Sequence, residues 1–201
     1  MRIEATGDEK EHKVWLTDEE IEELRRATAG YRDDIIIQLG AYVGLRAFEI
    51  PQVQPQHIKS TENGQYRLHV PRGKDTTGNG GKPRDAYLPA DVERSLQQFQ
   101  NAENIAPRDP FVDLTERGVR AAVKRTAEAA ADATGNDDYH HVSSHDLRRR
   151  YAQRLLVDQE MNPRVVMAVG GWSSFQAIEP YLNAPTQDVI DDAFTDVDVS
   201  V

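Results

Sequence analysis

The stretch His145-Asp146-Leu147-Arg148 is the most informative part of the sequence, because it places a histidine and an arginine three residues apart. Side chains at this spacing share one face of a helix, so both can reach the same ligand. The planar fork of an arginine suits the oxygens of a phosphate, and a histidine can exchange a proton near neutral pH. The stretch therefore predicts a site for phosphate chemistry on a helix over residues 144–157.

A second arginine lies upstream, within Gly44-Leu45-Arg46-Ala47-Phe48-Glu49-Ile50. Attack on a phosphodiester builds negative charge on two non-bridging oxygens, and two arginines form a suitable clamp for them. We therefore expect Arg46 and Arg148 to bind one phosphate. Glu49 stands one helical turn after Arg46 and its charge repels a phosphate, so we interpret it as a residue that orients Arg46 or His145.

Two aromatic residues follow the second arginine, Trp172 after a pair of glycines and Tyr181 nearer the end. A tyrosine hydroxyl with a free pKa of about 10 needs a nearby base and a cationic field to act as a nucleophile. We assign Tyr181 as the nucleophile and His145 as its base. Trp172 can donate only through its indole N–H, so it can bind a phosphate oxygen but cannot move a proton.

The oxygen that leaves the phosphorus needs a proton, and two lysines of a glycine-rich hairpin can supply it. Lys74 or Lys82 can act as the acid if the arginines lower its pKa. The hairpin joins strands predicted over residues 66–72 and 84–88. Further basic side chains that we expect to lie against DNA are Arg72, Lys82, Arg84 and Arg149.

Together these motifs resemble the tyrosine recombinases, also called the phage integrase family, over roughly residues 17–186. The resemblance also rests on Gly73-Lys74, on Gly171-Trp172, and on a tyrosine nine residues after that tryptophan. It implies cleavage and rejoining of DNA through a 3′-phosphotyrosyl intermediate, with neither metal nor ATP, and it favours Lys74 as the acid. The catalytic set that it implies is Arg46, Lys74, His145, Arg148, Trp172 and Tyr181.

The resemblance also implies partners. Double-stranded DNA is the expected substrate, bound by a homotetramer in which a terminal helix over Thr186–Phe194 links each subunit to the next. Family members usually carry a helical core-binding domain before the catalytic domain, whereas only sixteen residues precede the first helix signal here. We therefore expect no core-binding domain in this chain, and a separate accessory DNA-binding protein is one candidate for that half of the DNA clamp.

Composition narrows the class of protein further. The 201 residues suit one domain, the net charge is −10, and the chain has no cysteine, which excludes disulfides and cysteine metal sites. No apolar run reaches membrane-spanning length and no signal peptide is evident, so we expect a cytoplasmic protein. Arginine outnumbers lysine and aspartate outnumbers glutamate, which favours a halophilic origin. His140 and His141 lack nearby carboxylate ligands, and we expect neither a metal nor a cofactor.

The pattern of hydrophobic residues predicts a mostly α protein with one small antiparallel β-sheet, an α+β fold like that of a tyrosine recombinase catalytic domain. We expect a flexible arm over residues 1–16, the catalytic domain over residues 17–185, and a helix with an acidic tail over residues 186–201. Helices are predicted over residues 17–28, 32–44, 46–50, 89–100, 115–133, 144–157, 163–169, 174–182 and 186–194.

Two other functions compete with strand transfer. A non-catalytic DNA-binding or regulatory module can keep the same fold, although the intact set of motifs argues against it. A metal-dependent nuclease is disfavoured because no carboxylate cluster stands at metal-ligand spacing. Chelation with EDTA separates the nuclease from the tyrosine mechanism.

Overall fold

The structure is a computed structural model and describes residues 1–5, 12–73 and 81–182. The predicted class is confirmed, because helices dominate these ranges and the strands form small antiparallel sheets. The helices are α1 (Asp18–Arg26), α2 (Tyr31–Ala41), α3 (Ala90–Glu103), α4 (Glu116–Thr134), α5 (Ser144–Gln153) and α6 (Pro163–Gly170). The strands are β1 (Arg2–Ala5), β2 (His12–Trp15), β3 (Ile58–Ser60), β4 (Tyr66–Val70) and β5 (Arg84–Leu88).

Helix α1 begins with a capping box at Thr17, the first residue of the helix predicted over residues 17–28. The Thr17 hydroxyl accepts from the backbone N–H of Glu20, and the Glu20 carboxylate accepts from the backbone N–H of Thr17. These two bonds satisfy donors that the first turn of a helix leaves unpaired. The helix buries Ile21 and Leu24 against the core.

Helix α2 is the central helix, and it is buried on nearly all sides from Ile35 to Ala41. It contacts α1, α3, α4 and α5. The chain leaves it through Gly44, whose φ is +74° and where a Cβ would lie 2.3 Å from the ring of Tyr151. Only glycine fits this turn, and the turn delivers the chain to Arg46.

The larger sheet has the order β3-β4-β5, with both pairs antiparallel. Leu68 pairs with Ala86 and Val70 pairs with Arg84. Alternate residues of a strand point to the same face, so Arg84 shares the inward face of β5 with Ala86 and Leu88, which are buried. The first residue of β5 therefore points toward the protein.

The expectation of a flexible arm over residues 1–16 is wrong for the residues described there. Strands β1 and β2 form an antiparallel hairpin, and Val14 is fully buried. The backbone N–H of Val14 donates to Asp146 at 3.1 Å, and Arg149 donates to the carbonyl of Val14 at 3.2 Å. Two polar side chains of α5 thus fix β2 to the body of the protein.

The helix predicted over residues 174–182 is replaced by two short 3₁₀ turns, Phe175–Ala177 and Glu179–Tyr181. Pro180 has no backbone N–H and cannot extend a helix from the preceding turn. The helix predicted over residues 186–194 lies outside the described residues. None of the described helices is long and apolar enough to cross a membrane.

Candidate active site

The centre of the site is the C-terminal end of α6. This helix ends at Gly171, which is left-handed with a φ of +69°, and the carbonyls of a last helical turn have no partner within the helix. Three arginines from three elements donate to three successive carbonyls there. They are Arg84 to Val169 at 3.1 Å, Arg148 to Gly170 at 2.7 Å, and Arg46 to Gly171 at 3.0 Å.

A single buried carboxylate, that of Glu49, holds two of these arginines. Its oxygens accept from Nη1 of Arg46 at 2.9 Å and from Nη1 and Nη2 of Arg84 at 2.7 and 2.9 Å. The backbone N–H of Arg46 also donates to it at 2.8 Å. Burial raises the pKa of Glu49, but the bonds and charges of Arg84 and Arg46 outweigh burial and keep that pKa below its usual value.

Arg148 is 2% exposed, and its guanidinium donates to the carbonyls of Gly44 and Gly170. One face of the guanidinium lies 4.0 Å from the centre of the Trp172 ring. Burial first, and then the positive charge of Arg46, lower the pKa of Arg148 to about 9. A group with this pKa remains protonated at pH 7, so the site holds permanent positive charge.

The indole of Trp172 joins Arg148 to the predicted nucleophile. The ring of Tyr181 meets it edge-on with centroids 5.9 Å apart, and Tyr151 lies nearly parallel to it at 6.3 Å. Tyr181 ends a 3₁₀ turn and is 7% exposed. A Cβ at Gly170 would lie 1.9 Å from the indole, so this glycine is required for Trp172 to take its place.

His145 lies in the first turn of α5, which begins with a capping box between Ser143 and Asp146. Although His145 is exposed to solvent on one side, the protein atoms packed around it partly desolvate the imidazole and lower the pKa of His145 below the ordinary value. The charges of Arg149, Arg148 and Arg46 lower it further. His145 is therefore neutral at pH 7 and able to accept a proton.

The structure brings most of the predicted site residues together. Arg46 and Arg148 bind adjacent carbonyls, Trp172 and Tyr181 pack beside Arg148, and the charges of both arginines act on His145. Glu49 was predicted to orient either Arg46 or His145. It binds Arg46, and no hydrogen bond joins Glu49 to His145. Lys74 lies outside the described residues. Arg72 and Lys82 are exposed at the base of the hairpin.

Two of the arginines that we expected to lie against DNA lie inside the protein. The side chain of Arg84 is 7% exposed and is bound to Glu49. Arg149 is 6% exposed and donates to Val14 and to Asp146. A buried carboxylate meets each guanidinium, so neither is directed to the protein surface in this arrangement.

The architecture around this site agrees with a known family. The model of the phage integrase family matches residues 14–187. The chain belongs to the phage integrase family. Among individual relatives of this chain is the tyrosine recombinase XerC of Staphylococcus saprophyticus subsp. saprophyticus (strain ATCC 15305). The two are 26% identical over 185 aligned residues, and the match covers 84% of this chain and 57% of XerC. The chain thus spans little more than half the length of this relative.

Solved structures of similar fold include the Tn1549 transposon integrase in complex with transposon right end DNA. It superposes with a TM-score of 0.69 at 18% identity, covering 94% of this chain and 68% of the Tn1549 chain. The XerH site-specific recombinase, bound to palindromic difH substrate in a post-cleavage complex, gives a TM-score of 0.64 at 20% identity. That match covers 90% of this chain and 52% of XerH. These likenesses establish the fold.

Proposed function

We propose that this integrase cuts and rejoins double-stranded DNA at a specific site by two transesterifications. The hydroxyl oxygen of Tyr181 attacks the phosphorus, and the bond from phosphorus to the 5′ oxygen breaks. A 3′-phosphotyrosyl bond forms, and the departing 5′ oxygen takes up a proton. Attack by a 5′ hydroxyl then reverses these steps and releases Tyr181. The number of phosphodiester bonds is conserved, so no ATP is needed.

One observation carries the proposal: Arg148 and Tyr181 both contact the indole of Trp172, and Arg46 donates to the carbonyl of the preceding residue, Gly171. Arg46 is fixed by Glu49, and Arg148 stays protonated despite its burial. Cations that are already in place cost no reorganisation when charge develops on the phosphate oxygens. Tyr181 lies against the same indole, within reach of their field.

Arg148 and Tyr181 are almost fully buried, so a scissile phosphate must displace Trp172 to reach the Arg148 guanidinium. An arginine carries five N–H donors, and among the residues that the structure describes Arg148 makes two hydrogen bonds. Donors therefore remain for the phosphate. Catalytic contacts that tighten only in the complex are common in enzymes.

Proton transfer is assigned to His145 and to a hairpin lysine. His145 is neutral at pH 7 and accepts the proton of the Tyr181 hydroxyl. Lys74 donates a proton to the 5′ oxygen, with Lys82 as the alternative. A 5′-bridging phosphorothiolate has a leaving group that needs no proton, so this substrate should rescue Lys74→Ala. Rescue of Lys82→Ala, with Lys74→Ala nearly silent, assigns the acid to Lys82 instead.

DNA is the proposed partner, although the net charge is −10. The high ratio of arginine to lysine and of aspartate to glutamate supports a protein that works in concentrated salt. At about 1 M salt the Debye length is about 3 Å, so repulsion between acidic faces and DNA is screened and close contacts decide binding. The XerH and Tn1549 proteins were both solved with DNA. A homotetramer on paired sites, assisted by an accessory DNA-binding protein, completes the proposal.

Covalent capture tests the proposed function. The substrates are nicked duplexes tiled across the DNA that flanks the gene. Cleavage close to the nick releases a short fragment that bears the new 5′ hydroxyl. The reverse attack is then impossible, so the protein stays bound to the 3′ phosphate. The expected result is a protein–DNA adduct that resists denaturant and forms equally in EDTA. Hydrolysis that needs a divalent metal, or the absence of an adduct on every duplex that the protein binds, contradicts the proposal.

A further inference from the structure

We infer that Arg84 is a positioning residue for the strand-transfer reaction, acting on Arg46 through Glu49 and on Trp172 through the end of α6. The inference rests on the proposed function. Arg84 touches no reacting atom in this arrangement, because its donors are directed to the protein. Arg84 is the first residue of β5, which follows Lys82. Its place in the fold thus links the hairpin that carries this lysine to Arg46, one of the two arginines proposed to bind the phosphate.

The first evidence is the pattern of bonds around Glu49. Arg84 occupies both carboxylate oxygens, whereas Arg46 reaches one of them with a single terminal nitrogen. The other terminal nitrogen of Arg46 is thereby left to bind Gly171. If Arg84 is lost, both oxygens of a fully buried carboxylate are open to Arg46. A bidentate pair is the favoured geometry of arginine and carboxylate, so Arg46 turns toward Glu49 and away from the phosphate.

The second evidence comes from Gly171. A Cβ built there lies 2.8 Å from Cδ, 3.0 Å from Nε and 3.2 Å from Cζ of Arg84. The Arg84 side chain thus runs directly beneath the residue that precedes Trp172, and its Nε donates to Val169. The glycine before Trp172 is required by Arg84 as well as by its own φ of +69°. Arg84 therefore fixes the backbone that carries the indole.

Arg84→Lys tests the inference, because lysine keeps the charge but cannot bind both carboxylate oxygens and the Val169 carbonyl with one fork. Arg67→Lys is the matched control, since Arg67 lies on the neighbouring strand β4 and donates only to Tyr66 and Gln65 among the described residues. We expect the rate of covalent capture to fall about 10- to 100-fold in Arg84→Lys, as for other residues that orient a functional group. Arg67→Lys should react like the parent protein.

A methylphosphonate at the scissile position separates positioning from a general loss of stability. This substrate lacks the charge on one non-bridging oxygen, so the deficit caused by a misplaced arginine should shrink for Arg84→Lys as it does for Arg46→Ala. Gly171→Ala should show the same recovery, because its Cβ displaces Arg84. Gly135→Ala is its control, since Gly135 also ends a helix at a φ of +69° but has no atom within 4 Å of a Cβ.

Two results of covalent capture overturn the inference about Arg84. Capture by Arg84→Lys at the parent rate overturns the inference, as does a deficit that only a 5′-bridging phosphorothiolate corrects, because that places the effect on the lysine. Absence of any adduct with the parent protein contradicts the proposed function instead. In that case, NMR of the Arg46 guanidinium in the free protein still tests the inference. Its Nη chemical shifts should change in Arg84→Lys, because Arg46 exchanges the Gly171 carbonyl for the second oxygen of Glu49, and should stay as in the parent protein in Arg67→Lys. Unchanged shifts in Arg84→Lys overturn the inference.

Discussion

The Glu49 carboxylate shows how one residue can hold a site together. It is fully buried and binds Arg46 and Arg84 at once. The sequence indicated an orienting role for Glu49, because a carboxylate one turn from an arginine repels phosphate. Arg84 could have been found by its alternation with Ala86 and Leu88 on β5. Its partners Glu49 and Val169 could not, since they lie 35 and 85 residues away in the chain.

Removal of the Glu49 carboxylate should destabilise the fold strongly. We expect Glu49→Ala to lower the free energy of unfolding by about 3–5 kcal/mol, because it leaves buried positive charge without its partner. Glu116→Ala is the control, since Glu116 pairs with Arg120 on the exposed surface of α4, where a pair contributes about 0–1 kcal/mol. Urea unfolding measures both. Equal losses in the two variants contradict the buried pairing.

His145 makes the reaction depend on pH in a defined direction. The pKa of His145 is lowered by burial and by the charges of Arg149, Arg148 and Arg46. His145 therefore stays neutral to a pH below the ordinary histidine pKa of about 6.5. The capture rate should therefore hold steady from pH 8 down through pH 6.5 and decline only at lower pH. NMR of the imidazole should report the same midpoint. A titration above pH 6.5 in the free protein contradicts this assignment.

The same shift in the pKa of His145 has a consequence for stability. The unfolded chain binds a proton near pH 6.5, whereas the folded chain does so only at lower pH. Folding stability from His145 is thus present above pH 6.5 and is lost as pH falls toward the folded pKa. The unfolding temperature of His145→Gln should decline less than that of the parent protein over this interval.

At the scale of elements, local signals predicted the helices and tertiary contacts decided the rest. Helices α1 and α6 span Asp18–Arg26 and Pro163–Gly170, within two residues of the ranges 17–28 and 163–169 that the sequence predicted. The β1–β2 hairpin was missed because its strands have four residues each, and because contacts with α5 hold it. A helix was wrongly predicted across Pro180, because the hydrophobic period outweighed the missing proline N–H.

The β1–β2 hairpin provides a prediction about the role of α5. Asp146 accepts from Val14, from the backbone and hydroxyl of Ser143, and from Arg149. Asp146→Ala should therefore free β2, and amide hydrogen exchange of Ile3 and Val14 should accelerate relative to the core of α2. Asp138→Ala, in an exposed turn, should leave this exchange unchanged. Unaltered protection in Asp146→Ala contradicts the role of α5 in holding the hairpin.

At the scale of the whole molecule, we propose that assembly on DNA depends on the segment Thr186–Phe194, which lies outside the described residues. Val189, Ile190 and Phe194 form an apolar stripe in the sequence, and a nine-residue helix is marginal in water unless such a stripe is buried. We expect the segment Thr186–Phe194 to dock onto a neighbouring subunit when DNA is bound. Truncation after Ala184 should spare folding and weaken cooperative assembly in a gel-shift titration. Unchanged cooperativity, or an unfolded truncation, contradicts docking between subunits.

The central claim is that Tyr181 is the nucleophile, and one pair of variants tests it most directly. Tyr181 and Tyr151 both contact the indole of Trp172, but burial raises the pKa of Tyr151 to about 12 and its hydroxyl has no described partner. Covalent capture on a nicked duplex should vanish in Tyr181→Phe, with DNA binding within a few fold of the parent protein, and persist in Tyr151→Phe. An adduct formed by Tyr181→Phe, or lost only in Tyr151→Phe, contradicts the account.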